Sequence, residues 1–189
     1  MKQLTLKTDI INELKNHDFT TYEHSVRVAR LLYRFGETLA LTENRLNELF
    51  KLGLYHDIGK LRIDPQILNK KEKLTEREYI QLQKHTIYGE EILRQQGYSK
   101  RFLQDIRSHH ENFDGSGYPD GLSSNEISLY ALMLRIVDSY DAMVNVRSYK
   151  KVSSNLHAIS ELHSLKGRWY HPQLVEIFSE TIIKESINK

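Results

Sequence analysis

Apolar residues return at three- and four-residue intervals along most of the chain, the period of an amphipathic helix. They do so in LKTDIINELKNH (6–17), YEHSVRVARLLYRFGETLAL (22–41) and ENRLNELFKLGLYHDIGK (43–60). The pattern continues in TEREYIQLQKHTIYGEEILRQQG (75–97), SKRFLQDIRSHHEN (99–112), SNEISLYALMLRIVDSYDAMV (124–144), SSNLHAISELHS (153–164) and HPQLVEIFSETIIKES (171–186). No stretch alternates with the period of two that a half-buried strand needs. The pattern therefore predicts an all-α protein, a compact bundle of about seven to eight helices.

Helix punctuation fits this division. Thr42 is placed to cap one helix with Arg45 at the third position, and Thr75 to cap another with Glu78 completing a capping box. Pro172 suits a first helical position and Gly97 a helix stop. Two longer irregular pieces remain, 61–74 around Pro65 and 113–123, and loops of that length in a compact domain tend to carry function. The second follows directly on two histidines and a glutamate, in HHENFDGSGYPDG (109–121).

A chain of 189 residues is the size of one domain, 1–189, large enough to bury a core without covalent staples. Its formal charge of +2, with Lys70, Lys71 and Lys73 interleaved with acids, does not suit duplex nucleic acid. No apolar run approaches a membrane span, and the first residues, MKQLTLKTDIINEL, lack the hydrophobic centre of a signal peptide. A cytoplasmic protein with no membrane partner is expected. With no cysteine, any metal must be held by His, Asp and Glu.

Polar residues on apolar helix faces are the most informative feature, because a buried charge has to be paired, neutralised or bound to metal. The stripe Val28, Leu31, Leu32, Phe35, Leu39 projects back one turn to His24. Leu46, Leu49, Phe50 and Gly53 lead to His56 and Asp57. His85 is flanked by Leu82 and by Ile92 and Leu93, with Gly89 one turn on, where a missing side chain lets another backbone approach. Phe102, Leu103 and Ile106 run into His109 and His110, and Ala131 and Leu134 into Asp138 and then Asp141.

A single inward histidine is ordinarily a hydrogen-bonded core residue. So many in one small domain are satisfied more economically by shared divalent ions, and they exceed what one ion coordinates, so two are expected. A site of imidazoles and carboxylates without thiolate suits Fe or Mn, and also Zn, Ni, Co or Mg. His17, His157, His163 and His171 do not share the pattern and are expected at the surface or in structural roles.

The series His24, His56-Asp57, His85, His109-His110, Asp138 resembles the HD phosphohydrolase superfamily, named for its His-Asp pair. HHENFDGSGYPDGL with HDIGK (56–60) narrows the likeness to the HD-GYP family of bacterial cyclic di-GMP phosphodiesterases. YEHSVRVA (22–29), HDIGKLRIDPQILNKKEKLTEREY (56–79), KHTIYGEEIL (84–93), RIVDSYDAM (135–143) and RSYKK (147–151) come in the family's order and spacing, over roughly residues 20–180.

The resemblance implies an HD-domain fold around a central metal site. It implies that His24, His56, Asp57, His85, His109, His110 and Asp138 are metal ligands, that Asp57 and Lys60 are catalytic, and that Lys60, Arg147 and Lys150 contact substrate phosphates. The expected reaction converts cyclic di-GMP to linear pGpG, with a second cleavage on to GMP left open. Alternatives are another cyclic dinucleotide such as 3′3′-cGAMP, or a catalytically weak module that engages diguanylate cyclase (GGDEF) domains. Some members carry an extra glutamate, bound to a third metal, where this chain has Thr20; Glu23, rotated about 100° from His24 on a helix, is a poor substitute, so two metals are expected. No separate sensor or receiver domain is expected within the chain, leaving control to expression, to a separate regulatory protein or to self-association as a homodimer, unless the sequence is a fragment of a longer protein.

Overall fold

The computed structural model describes residues 8–145 and 154–187. Among them the regular structure is helical, with an isolated bridge between Lys166 and Tyr170 as the exception. The helices are α1 (Thr8–His17), α2 (Phe19–Thr38), α3 (Glu43–Tyr55), α4 (Pro65–Leu68), α5 (Glu76–Gln83), α6 (His85–Gln95), α7 (Lys100–Arg107), α8 (Leu129–Val144), α9 (Asn155–Ser164) and α10 (Pro172–Ile187). The all-α expectation holds.

Helix ends follow side-chain chemistry. Asp18 caps α2, its Oδ1 accepting the amides of Thr20 at 2.9 Å and Thr21 at 3.3 Å, so the helix starts earlier than the apolar stripe predicts. Thr75 caps α5 with the predicted reciprocal box to Glu78. Thr42 caps α3 by backbone alone, because Arg45 at the third position has no acceptor to complete a box. Asp64 accepts the Gln66 amide at 2.8 Å with Pro65 at the first position, which makes the single turn α4 inside a segment expected to be irregular.

Three expected helices are interrupted near a histidine. The helix expected over 43–60 ends at Tyr55 and resumes as a 3-10 turn, Ile58–Arg62. The one over 75–97 divides into α5 and α6, and the one over 99–112 ends at Arg107. In each case a histidine stands at or just past the break.

The core is centred on α8, which buries residues from Tyr130 to Met143 on several sides. Helix α2 lays Val28, Leu32 and Phe35 onto α3 through Leu49 and Leu52, while Phe178 of α10 meets both Phe35 and Tyr140 at 5.2 Å between ring centroids. Fully burying each such side chain contributes roughly 1.5–3 kcal/mol.

The 3-10 turn after α3 crosses α6 at backbone contact. A Cβ on Gly59 would lie 1.9 Å from the carbonyl oxygen of His85 and 2.5 Å from the amide nitrogen of Gly89. This crossing brings the His56-Asp57 pair against His85. Gly59→Ala is expected to cost about 3 kcal/mol or more of unfolding free energy in urea denaturation, since backbone rather than a flexible side chain must yield.

Asp105 of α7 is buried, and the Ser128 hydroxyl that caps α8 donates to its Oδ1 while Oδ2 has no partner. Burial pushes its carboxyl up from 3.8 to about 6, against the Ser128 bond and the Arg101 charge, with Glu48 adding to the rise. The folded state thus holds this proton more tightly than the unfolded chain, so stability declines as pH climbs from about 4 through 6. Asp105→Asn is expected to raise unfolding free energy by roughly 1 kcal/mol at pH 7.5 and to flatten that decline. Urea titrations at pH 4.5 and 7.5 check it, and a variant weaker than the parent at pH 7.5 would contradict it.

Candidate metal centre

Three histidines use the ends of three helices in the same way. The Nδ1 of His56 lies 2.7 Å from the Gly53 carbonyl, that of His85 2.7 Å from Leu82, and that of His109 2.6 Å from Ile106, each three residues earlier. These carbonyls belong to the last turns of α3, α5 and α7, where the intrahelical ladder runs out. A carbonyl only accepts, so each Nδ1 carries the hydrogen and each Nε2 presents a lone pair.

Those lone pairs converge. Nε2 of His85 and Nε2 of His109 stand 3.2 Å apart, two acceptors facing one another. The buried Nε2 of His56 has no hydrogen-bond partner. Acceptors oriented this way, out of water, repel unless a cation lies between them.

All seven side chains expected at the centre come together. Ligand atoms of His24, His56 and Asp138 lie within 4.8 Å of one another, as do those of His85, His109 and His110. Asp57 stands between the two triads: its Oδ2 is 3.4 Å from Nε2 of His56 and 3.8 Å from Nε2 of His24, and its Oδ1 is 3.5 Å from Nε2 of His85. His24 Nε2 meets Asp138 Oδ1 at 2.9 Å, and Asp138 Oδ2 lies 3.9 Å from Nδ1 of His110.

Electrostatics keep the ligands in their metal-binding forms. Burial lowers the pKa of His56, His85 (to about 4), His109 (to about 3) and His110, with neighbouring imidazoles adding to the effect, so these rings are neutral near pH 7. Burial opposes ionising Asp57 and Asp138, yet both carboxyls are held well below the usual range. Lys60 and the surrounding imidazoles do this for Asp57, and His24 chiefly for Asp138. His24 is the exception, since its bonds to Asp138 and Asp141 outweigh burial and raise it. A divalent ion would there replace a shared proton. The donor set fits one or two such ions.

Lys60, the other expected catalytic residue, places its ammonium 2.6 Å from Asp57 Oδ2. Arg147 and Lys150 lie outside the described residues. Thr20 is exposed and Glu23 points to solvent, so no extra carboxylate joins the triads at that position. His163 bonds Ser179 Oγ at 2.9 Å and the His171 ring packs on Phe113, both away from the cluster.

Asp141 has a role that sequence reasoning left unassigned. Its Oδ2 accepts from Nδ1 of His24 at 2.7 Å, and Arg27 grips the same carboxylate with Nε at 2.9 Å and Nη2 at 3.0 Å. Its position one turn beyond Asp138 on α8 was the available signal.

The expectation that His109 and His110 end a helix is corrected, for both lie in the turn after α7. The following loop is fastened rather than loose. Glu111 Oε1 accepts the amides of Asp120 at 2.7 Å and Gly121 at 3.1 Å, and the Tyr118 ring lies 4.8 Å from that of His110. A Cβ on Gly117 would stand 2.3 Å from the Asn112 amide nitrogen, so the loop folds flat onto the turn that carries the histidines. On its other side the amides of Phe113 and Asp114 donate to the carbonyls of Trp169 and Arg168.

The HD domain family matches residues 9–174, a span that contains every residue of the cluster. The chain belongs to this family. A cyclic di-GMP phosphodiesterase of Thermotoga maritima is 37% identical over 173 residues, 90% of this chain and 47% of that protein. A 3′3′-cGAMP-specific phosphodiesterase 2 of Vibrio cholerae is 34% identical over 177 residues, 91% of this chain and 33% of that one. The chain thus spans less than half the length of these curated relatives, which place it in the HD-GYP branch of the HD domain family. The HD domain of the L. monocytogenes phosphodiesterase PgpH, solved with cyclic-di-AMP, superposes with a TM-score of 0.71 over 95% of this chain and 96% of that one at 18% identity, a likeness of fold.

In this HD domain Asp141→Asn removes the charge that orients and strengthens His24. Metal affinity is expected to fall about 10- to 100-fold, as for other carboxylates behind a ligating imidazole, measured by competition with a chromophoric chelator. An unchanged affinity would leave Asp141 as a structural partner of Arg27 alone.

Proposed function

We propose that the chain hydrolyses a 3′,5′-phosphodiester bond of a cyclic dinucleotide, with cyclic di-GMP as substrate and linear pGpG as first product. The observation that carries this reading is the pair of triads with Asp57 between them, an arrangement suited to two ions working on one phosphate. Related proteins named as cyclic di-GMP phosphodiesterases support the choice of substrate.

His24, His56 and Asp138 would hold one ion, and His85, His109 and His110 the other, with Asp57 available to both. Bound ions supply Lewis acidity to the phosphoryl oxygens and lower the pKa of water. The chain's own residues do the rest. Asp57, kept ionised by Lys60 and the imidazoles, fixes the spacing of the triads. Lys60, fastened to Asp57 at the edge of the cluster, offers ammonium hydrogens to phosphoryl oxygens as charge gathers there. His110 and Tyr118 wall the site from the loop side. Arg147 and Lys150 are assigned to substrate phosphates on the family resemblance.

The 3′3′-cGAMP-specific relative keeps a mixed GMP-AMP ring as a second reading, because ligands that address the phosphate do not discriminate bases. A GGDEF-engaging module without catalysis is disfavoured by a complete set of ligands. Protein purified without oxygen is expected to carry about two equivalents of transition metal and to release pGpG from cyclic di-GMP on chromatography. His56→Ala with Asp57→Ala should lose about 1000-fold or more in turnover. Full turnover by that variant, or an intact substrate with the metal-loaded parent, would overturn the reading.

A further inference from the structure

A cavity of about 510 Å³ opens between α2, the end of α8, the start of α9 and α10. It lies on the Nδ1 side of His24, where Asp141 stands, and not on the Nε2 side that faces Asp138. Its volume falls within the roughly 300–1,000 Å³ of small-molecule sites. Nothing in the hydrolytic reading uses it.

Its charges are unbalanced. Arg27, Arg30 and Arg34 line it from one stripe of α2, and like charges at three- and four-residue spacing repel. Arg30 finds no relief along its own helix, because the residues three and four away are Val26, Arg27, Tyr33 and Arg34. It has no hydrogen bond or ion pair among the described residues. Asp141 is the one acid among the described residues of the lining, and its oxygens are already taken. Oδ1 accepts from Arg27 Nε and from Asn145 Nδ2, both at 2.9 Å, and Oδ2 from His24 and from Arg27 Nη2. This fork pins Arg27 in place with Nη1 left over. Beneath the cations the floor is apolar, with Leu31 and Val144 half-buried and Ile182 buried.

We propose that this cavity binds a nucleoside 5′-phosphate, with the terminal phosphate between Arg27 and Arg30, Arg34 at the mouth, and the base resting on Leu31, Val144 and Ile182. A terminal phosphate carries about −1.5 to −2 charges near pH 7, and guanidinium forks match its oxygens in pairs. Such a dianion offsets the repulsion along α2, which a singly charged diester does less well. Binding here does not depend on the phosphodiesterase reading. Where that reading applies, the linear product pGpG carries the matching 5′-phosphate and the cyclic substrate has no free phosphate end, so the site responds to product.

The test is calorimetric titration of the full chain with GMP, guanosine and ribose 5-phosphate. GMP is expected to bind, and to bind about tenfold more weakly to Arg30→Glu and several-fold more weakly to Asn155→Asp, which sets a negative charge at the start of α9 on the cavity rim. Arg30→Lys should keep most of the affinity, and thermal melts establish that each variant is folded. Guanosine should bind at least about tenfold more weakly than GMP, and ribose 5-phosphate between the two. Binding should persist in chelator-treated protein and in Lys60→Ala, which separates this cavity from the metal centre. A parent that does not bind GMP, or loss variants that bind it as the parent does, would overturn the assignment. So would binding that disappears with Lys60→Ala and survives Arg30→Glu, since GMP would then sit at the metal centre. Ribose 5-phosphate binding as tightly as GMP would overturn the place given to the base. The phosphodiesterase reading is tested separately, by turnover, and stands or falls without these results.

Discussion

Imidazole nitrogens that face one another out of water are the constraint around which this fold is organised. Nothing in an apolar core would gather the lone pairs of His56, His85 and His109, and the fold holds them there by tying each opposite nitrogen to a carbonyl in the preceding helical turn. The ring is thereby fixed in tautomer and direction before any ion arrives. The cost of assembling such a set of facing donors is borne by the core around α8 and by the backbone crossing at Gly59, and a bound divalent ion would relieve it.

The same device explains what was legible in the sequence. The apolar stripes pointed to all seven side chains that converge, because burial of a polar group on a hydrophobic face is visible in a pattern of residue types. The helix breaks were not visible. Helices α5 and α6 both lay apolar residues on one core, so periodicity runs on through Lys84, and a bond from His85 to the Leu82 carbonyl leaves no trace in a hydropathy pattern. The early end of α7 was missed for the same reason. Thr75 and Thr42 show the limit at single residues: both initiate helices, yet only Thr75 has an acceptor three residues on, in Glu78.

Polarity around the cluster is layered. Arg27 holds Asp141, Asp141 holds His24, and His24 meets Asp138, so a surface guanidinium is linked through two carboxylates and one ring to the triad. On the opposite side Lys60 and Asp57 form a shorter connection from the edge of the cluster to the same triad. Charges on either side of the centre are therefore coupled to it through contacts under 3 Å at each of these named steps, apart from the Asp57–His56 approach of 3.4 Å.

Arg135 stands one turn before Asp138 on α8, bonds Asn112 Oδ1 through Nη2 at 2.9 Å, and lies 5.8 Å from the Trp169 ring and 5.3 Å from that of Tyr170. The backbone carbonyl of Trp169 also receives the Phe113 amide at the start of the glycine-rich loop. Trp169 is the single tryptophan of the sequence. The intrinsic fluorescence of this protein is consequently a local signal, emitted from the seat on which the loop rests. Its colour and intensity follow how closely that guanidinium and that loop remain in place, giving the molecule an optical gauge that needs no added label.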